Sequence, residues 1–319
     1  QAYHGPTAAT LSLTGRPGLQ RPYDPYVTEQ PHIPPSTRHF DATGRSALDA
    51  LDRVIEEQGA GTIAAFFLEP ISAAALPAYS PPKAFWEGLA ERRECYGFLV
   101  IFDEVVTGMG RCGAWFAADT LPMKPDIIAT AKGLGAGYVA IGATLCQEYV
   151  YEAFASGSRV FNVGHTWDGA PAQAAVALKV IEILRSEGLI QRVHDRGPSL
   201  RDQLASALSD IPMVGEVRGH GYLLGVSYVD PRDRDRFLPP EAGVAGKIDK
   251  VAMERGLITL STMPTRDGYA GDQTLFAPPF TTTDDELAEM VDRLAATVRQ
   301  VAQEVEPLLK SAAGAAVGG

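Results

Sequence analysis

Two side chains define the chemistry open to this sequence. Asp103 closes the apolar run 98–102 and is followed by Glu104-Val105-Val106-Thr107-Gly108-Met109-Gly110-Arg111. A continuous apolar run without alternation suits a strand buried on both faces of a parallel sheet. Asp103 then falls at the carboxyl end of that strand, where open α/β sheets bind their ligands. A carboxylate in such a place needs a partner, because an unpaired buried charge is costly. The second side chain is Lys132. Lys83, Lys124, Lys179, Lys247, Lys250 and Lys310 sit in polar helical or loop surroundings that suit a solvated surface. Lys132 instead follows the apolar strand 126–130 and precedes Gly133-Leu134-Gly135-Ala136-Gly137. Glycines there let the backbone approach a bulky group closely. A lysine in a partly dry pocket has a lowered pKa and can form a Schiff base.

An imine-forming lysine and a carboxylate at the ends of two short strands suggest pyridoxal phosphate. Its lysine holds C4′, and an acidic residue keeps the pyridine nitrogen protonated so that the ring serves as electron sink. On this reading the partner of Asp103 is the pyridinium. The residues alone leave an alternative open: an aspartate satisfied by backbone amides and a lysine in a surface turn. The glycine run lacks the full G-x-G-x-x-G pattern of a dinucleotide loop, and no G-x-x-x-x-G-K-[ST] is present. His32, His39, His165, His194 and His220 fit no metal spacing, so no metal site is expected.

The elements that must position these groups follow from pattern. Residues 1–43 are rich in proline and glycine, and such long irregular stretches are often functional. Helices are expected over 46–58, 82–96, 170–187 and 190–208, and strands over 62–68, 98–102, 126–130 and 141–145. Helices alternating with strands in this way indicate an α/β architecture with a mostly parallel sheet. After residue 208 the character changes to short strands at 221–229, 257–261 and 274–276, with helices between them. The last helix opens on the capping box Thr283-Asp284-Asp285-Glu286. The expected organisation is therefore a large domain over 1–208, a smaller α+β domain over 209–310 and an Ala/Gly-rich disordered tail over 311–319.

Composition narrows the function classes. The 319 residues are 45% hydrophobic and carry a formal net charge of -11. That balance argues against nucleic acid or an anionic membrane surface as partner. No apolar run reaches the roughly 18 residues that span a bilayer. Cys95, Cys112 and Cys146 lack C-x-x-C spacing, fit a reducing cytoplasmic setting and read as buried apolar residues.

Taken in order, several blocks resemble class III (ω-type) aminotransferases. They are Phe102-Asp103-Glu104-Val105, Gly108-Met109-Gly110-Arg111-Cys112-Gly113, Pro125-Asp126-Ile127-Ile128 and Ala131-Lys132-Gly133-Leu134. Tyr3-His4-Gly5, Glu69-Pro70, Gly164-His165-Thr166, Val217-Arg218-Gly219 and Ala277-Pro278-Pro279 extend the match over almost the whole chain. The resemblance implies the fold-type I pyridoxal-phosphate fold, with helices on both faces of the sheet. It also implies a transaminase that uses pyridoxal 5'-phosphate in a two-fold oligomer. By the same resemblance, Lys132 is the Schiff-base lysine and Asp103 pairs with the pyridine nitrogen. Val105 and Tyr3 lie on the two ring faces, and His4 and Gly5 shape the loop of Tyr3. Thr166 reaches the phosphate of a neighbouring active site, and Glu69 stands near the cofactor's oxygen side. Arg111 is expected to tie down the glycine turn.

Two departures from the family pattern bear on function. The sequence opens at a point the family reaches after about its first third; a second polypeptide supplying the remaining part is the reading adopted, with a truncated or processed chain as the alternatives. No arginine accompanies Ala277-Pro278-Pro279, and Ile71-Ser72-Ala73-Ala74-Ala75-Leu76 replaces a glycine-rich run, so the substrate pair is not readable. A same-fold aminomutase, racemase or decarboxylase would use the same Lys132 and Asp103. A non-catalytic subunit completing a partner's site is the reading from a different class.

Overall fold

The computed structural model describes residues 1–265 and 268–316. Helices α1 (Ala8–Leu13), α2 (Pro17–Gln20) and α3 (Arg38–Asp41) interrupt the proline-rich opening. Helix α4 (Arg45–Gln58) buries Ala47, Leu48, Leu51 and Ile55, the spacing of a single helical face. Then come β1 (Ala65–Leu68), α5 (Lys83–Tyr96), β2 (Leu99–Asp103), β3 (Ile127–Thr130) and β4 (Ala143–Cys146). These four strands form one sheet in the order β1-β2-β3-β4. The first three are parallel, and β4 runs antiparallel to β3, so the sheet is mixed at that edge. Helices α4 and α5 share one core with Val100 and Phe102 of β2, centred on Trp86, Phe85 and Leu89.

Helices α6 (Glu148–Ser156), α7 (Pro171–Ser186) and α8 (Leu189–Leu208) lead to a second sheet. It contains β5 (Val214–His220), β6 (Leu223–Tyr228), β7 (Leu260–Thr262) and β8 (Gln273–Phe276), in the antiparallel order β5-β6-β8-β7. Helix α9 (Val244–Glu254) separates β6 from β7, and α10 (Asp284–Ala316) closes the chain. Helix α8 contributes Val193, Leu200, Leu204 and Leu208 to the same core as α9, α10 and this sheet.

Most expected elements fall within a few residues of their observed bounds, and the exceptions have physical causes. Strand β5 escapes pattern reading because Gly215, Glu216, Arg218 and Gly219 break its alternation. Helix α6 escapes it because Tyr149, Tyr151 and Phe154 are exposed, leaving no face turned to a core. Helix α10 continues to Ala316, into the stretch expected to be a disordered tail; residues 317–319 lie outside the described ones. Of the cysteines, Cys112 is buried as expected, but Cys95 and Cys146 are exposed.

The second sheet meets the loops that follow β1 and β2 where glycine permits backbone contact. A Cβ at Gly225 would lie 2.1 Å from the carbonyl oxygen of Pro77. Gly221, at φ +55°, brings the turn between β5 and β6 against the backbone of Arg111 and Cys112. The Thr262 hydroxyl donates to the Ala74 carbonyl at 2.9 Å. Among the described residues, no helix is long and apolar enough to cross a membrane.

Candidate active site

Asp103 ends β2 and stands in register with Ala129 of β3. Its Oδ1 accepts the Val105 N–H at 3.0 Å, and its Oδ2 lies 2.8 Å from Nδ1 of His4. Both side chains are enclosed, His4 at 1% and Asp103 at 8% exposure. A carboxylate only accepts, so His4 Nδ1–H is the donor of this pair. The imidazole rests edge-on against Phe67 of β1, with ring centres 4.6 Å apart.

Glu69, just past β1, fixes the segment that carries His4. Its Oε1 accepts the Tyr3 N–H and its Oε2 the Ala73 N–H, each at 2.7 Å. Burial pushes the Glu69 carboxyl above the usual carboxylate range, opposed by those two N–H donors and by His4. Beyond His4 the chain turns at Gly5, whose φ of +122° and 2.9 Å approach to Thr10 Oγ1 suit no side chain.

Lys132 follows β3 three positions beyond Ala129, so it leaves the sheet at the same end as Asp103. Its φ of +38° is uncommon for a residue with a side chain and marks a constrained turn. Gly133 and Gly135 keep that turn tight: an added Cβ would lie 2.9 Å from Met109 Cβ and 2.5 Å from the Val139 carbonyl oxygen. Lys132 is exposed rather than held in the partly dry pocket expected, and the neighbouring strand β4 is exposed along its whole length. Among the described residues its amine has no hydrogen-bond partner.

One residue that sequence reasoning missed is Glu104. It is fully buried and accepts from the N–H groups of Ala117 and Ala118 at 2.6 and 2.8 Å and from the Thr107 hydroxyl at 2.9 Å. Burial pushes its carboxyl up against these donors. Glu104 thus braces the loop that carries Val105 away from Asp103. Its adjacency to Asp103 is the available sequence signal.

A family model for class-III aminotransferases matches residues 1–298. The chain is 35% identical over 313 residues to an uncharacterized aminotransferase, YodT, of Bacillus subtilis (strain 168), covering 96% of this chain and 70% of that protein. It is 33% identical over 320 residues to gamma aminobutyrate transaminase 2 of Solanum lycopersicum, covering 96% of this chain and 67% of that one. Among solved structures, a transaminase from the marine bacterium Virgibacillus superposes with a TM-score of 0.87 at 29% identity, covering 95% of this chain and 67% of that one. The chain belongs to the class-III aminotransferase family. Its fold is that of the fold-type I transaminases, and its cofactor is pyridoxal 5'-phosphate.

The residues of this aminotransferase fit that cofactor in kind. Two of the lone-pair positions of Asp103 are taken by His4 and Val105, which leaves others to meet a ring N–H. Lys132 supplies a primary amine with no competing partner at the same strand ends. Tyr3 is 37% exposed, and Val105 is half-buried. Thr166 lies on the exposed segment between α6 and α7, and among the described residues no hydrogen bond ties it to the His4–Asp103 cluster.

Arg111 does more than tie down its own turn. Its Nη1 donates to the carbonyls of Tyr222 and Pro278 at 3.2 and 2.6 Å, and its guanidinium lies 4.6 Å over the Phe280 ring. Desolvation lowers its pKa to about 10. An arginine therefore does reach Ala277-Pro278-Pro279, but as a brace on the backbone.

Proposed function

We propose that this aminotransferase moves an amino group between an amine or amino acid and a carbonyl acceptor, with Lys132 and Asp103 as its catalytic residues. The observation that carries the reading is the register of β2 and β3, which sends both residues out of the sheet at one end. Bound there, pyridoxal phosphate supplies an electron sink and a carrier for the amino group. Lys132 Nζ would hold the cofactor through its aldehyde carbon and would serve as the base that moves the proton at the substrate Cα. Asp103 Oδ would accept from the ring N–H and keep the ring nitrogen protonated. Val105 and Tyr3 would hold the two ring faces, and His4 and Gly5 set the path of the Tyr3 segment. Glu69 would stand near the cofactor's oxygen side, and Thr166 would reach the phosphate of a neighbouring site in a two-fold assembly.

Borohydride reduction followed by peptide mass mapping tests this. A pyridoxyl-phosphate label on Lys132, absent in Lys132→Ala together with multiple-turnover transamination, is the expected result. A label on another lysine, or turnover retained by Lys132→Ala, sinks it.

The same reading takes 1–208 as a cofactor-binding domain and 209–310 as a smaller domain, in a cytoplasmic enzyme. It also includes a second polypeptide that completes the first sheet. Support comes from the open edge of β1, which borders a cavity of about 490 Å³ lined by Phe66, Phe67 and Leu68. An unpaired strand edge beside apolar surface is a template for an added strand. Co-purification of such a polypeptide with the tagged chain from its native source is expected. A cofactor-loaded, active chain recovered alone would count against it.

A further inference from the structure

We infer that Met109 is a positioning residue for Lys132: its Cβ, seated against Gly133, sets where the turn after β3 carries the lysine amine. The inference rests on the proposed role of Lys132 and extends it to the loop that begins at Asp103.

Lys132 opens a short turn, Lys132–Leu134, at a φ of +38°. A residue with a side chain keeps such a backbone only where its surroundings fix it. Two contacts do so here. Leu134 is buried in one cluster with Met109 and with Ala177, Val180 and Leu184 of α7. Gly133 lies so close to Met109 that an added Cβ would stand 2.9 Å from its Cβ and 3.5 Å from its Cγ. Gly133 is not at positive φ, so its backbone would admit alanine. What excludes a side chain there is Met109, since the next neighbour, the Gly108 carbonyl oxygen, would be at an ordinary 3.9 Å.

Met109 is itself pinned. It is 4% exposed and has a φ of +58°, again uncommon for a residue with a side chain. On one side of it the Gly108 N–H donates to the Glu104 carbonyl at 3.0 Å, and a Cβ on Gly108 would lie 2.7 Å from that same oxygen. On the other side Gly110, at φ +99°, backs onto α8, where its Cβ would lie 2.7 Å from Ile190 Cγ1. The loop that leaves β2 at Asp103 is therefore pressed against the turn that leaves β3 at Lys132. One segment sets the carboxylate and the amine relative to each other. An amine on a four-carbon stem moves with its backbone, and a displacement of about 1 Å can cost about 100-fold in rate.

A suppressor pair separates positioning from packing. Gly133→Ala places a methyl against Met109 Cβ and should push the turn aside. Its kcat should fall about 10- to 100-fold, with the amine KM changed much less. Met109→Gly removes the opposing Cβ and suits the positive φ. The double variant Gly133→Ala/Met109→Gly puts the new methyl into the vacated space and should recover most of the lost kcat. Packing alone predicts the opposite, since two independent losses add. Wild-type kcat in Gly133→Ala, or a double variant as impaired as Gly133→Ala, would overturn the inference.

Amide hydrogen exchange in the cofactor-free protein gives a second readout, which holds even if Gly133→Ala folds poorly. The Leu134 N–H donates to the Ala131 carbonyl at 2.9 Å and the Gly135 N–H to the Lys132 carbonyl at 3.1 Å. Met109→Gly should speed exchange of both amides about tenfold, and the added Gly133→Ala should slow it again. Unchanged exchange in Met109→Gly, or no slowing in the double variant, would overturn the inference. If the wild-type protein takes up no pyridoxal phosphate, the proposed function fails by itself, while exchange still reports on the turn.

Discussion

The two sheets of this aminotransferase are stabilised to different degrees, and the candidate site sits on the less enclosed one. The second sheet is the better backed. Leu224, Val226 and Tyr228 of β6 are at most 1% exposed, under a core shared by α8, α9 and α10. The first sheet has one well-packed face, against α4 and α5, while β4 is exposed throughout and β1 has a free edge. Asp103 and Lys132 leave this more open sheet at one end. The lesson is that stability and chemistry are held in separate places. Sites that exchange substrate need accessible surface, and that surface is withheld from the core.

A pair of truncations tests this contrast most severely. Leu204 of α8 is fully buried among the second sheet's helices, so Leu204→Ala should cost about 2–5 kcal/mol. Leu145 of β4 is 41% exposed, so Leu145→Ala should stay within about 0.5 kcal/mol in the isolated chain. Denaturant unfolding of both variants measures the difference. Equal costs would mean that β4 is covered in solution, and the contrast would collapse.

The link from the loop after β2 to the second sheet's turns comes next in size. Arg111→Ala removes the two bonds to the Tyr222 and Pro278 carbonyls and the contact with Phe280. A loss of about 2–3 kcal/mol is expected. Lysine restores less than half, because an ammonium lacks the planar fork that reaches carbonyls and ring together. If Arg111→Lys unfolds at the wild-type denaturant midpoint, Arg111 is not the brace described here.

What could be read from the sequence follows the same division. Strand β2 and its terminal Asp103 were legible because an unbroken apolar run has few alternatives, and α4 because its apolar residues keep helical spacing. The capping box at the start of α10 is realised in both directions: Thr283 N–H donates to Glu286 Oε2 at 2.7 Å, and Glu286 N–H to Thr283 Oγ1 at 3.3 Å. Those features are local. The pairing of His4 with Asp103 was not legible, since nothing near either residue specifies the other. The brace by Glu104 was also hidden, because its donors come from a turn 13 and 14 residues further on. Exposure of Lys132 could not be foreseen either, since it depends on what covers β4.

A smaller effect than that of Arg111 is expected at the entry to α4, the helix that packs on the first sheet. Asp41 accepts from the Thr43 N–H at 2.9 Å, from the Thr43 hydroxyl at 2.5 Å and from the Ser46 N–H at 2.6 Å, capping the first turn from upstream. The Thr43 hydroxyl and then the Ser46 N–H hold its carboxyl well below the usual carboxylate range. A depressed acid contributes stability above its unfolded pKa and loses it as pH falls through the folded one. Asp41→Ala should therefore cost about 1 kcal/mol at pH 7. The gap to wild type should narrow steadily once the pH drops below about 4, where the unfolded-state carboxyl begins to protonate. Melting curves of both proteins from pH 7 down to pH 2 measure that gap. A gap independent of pH would show that the cap acts through shape rather than charge, and α4 would then owe its entry to Gly44 and packing alone.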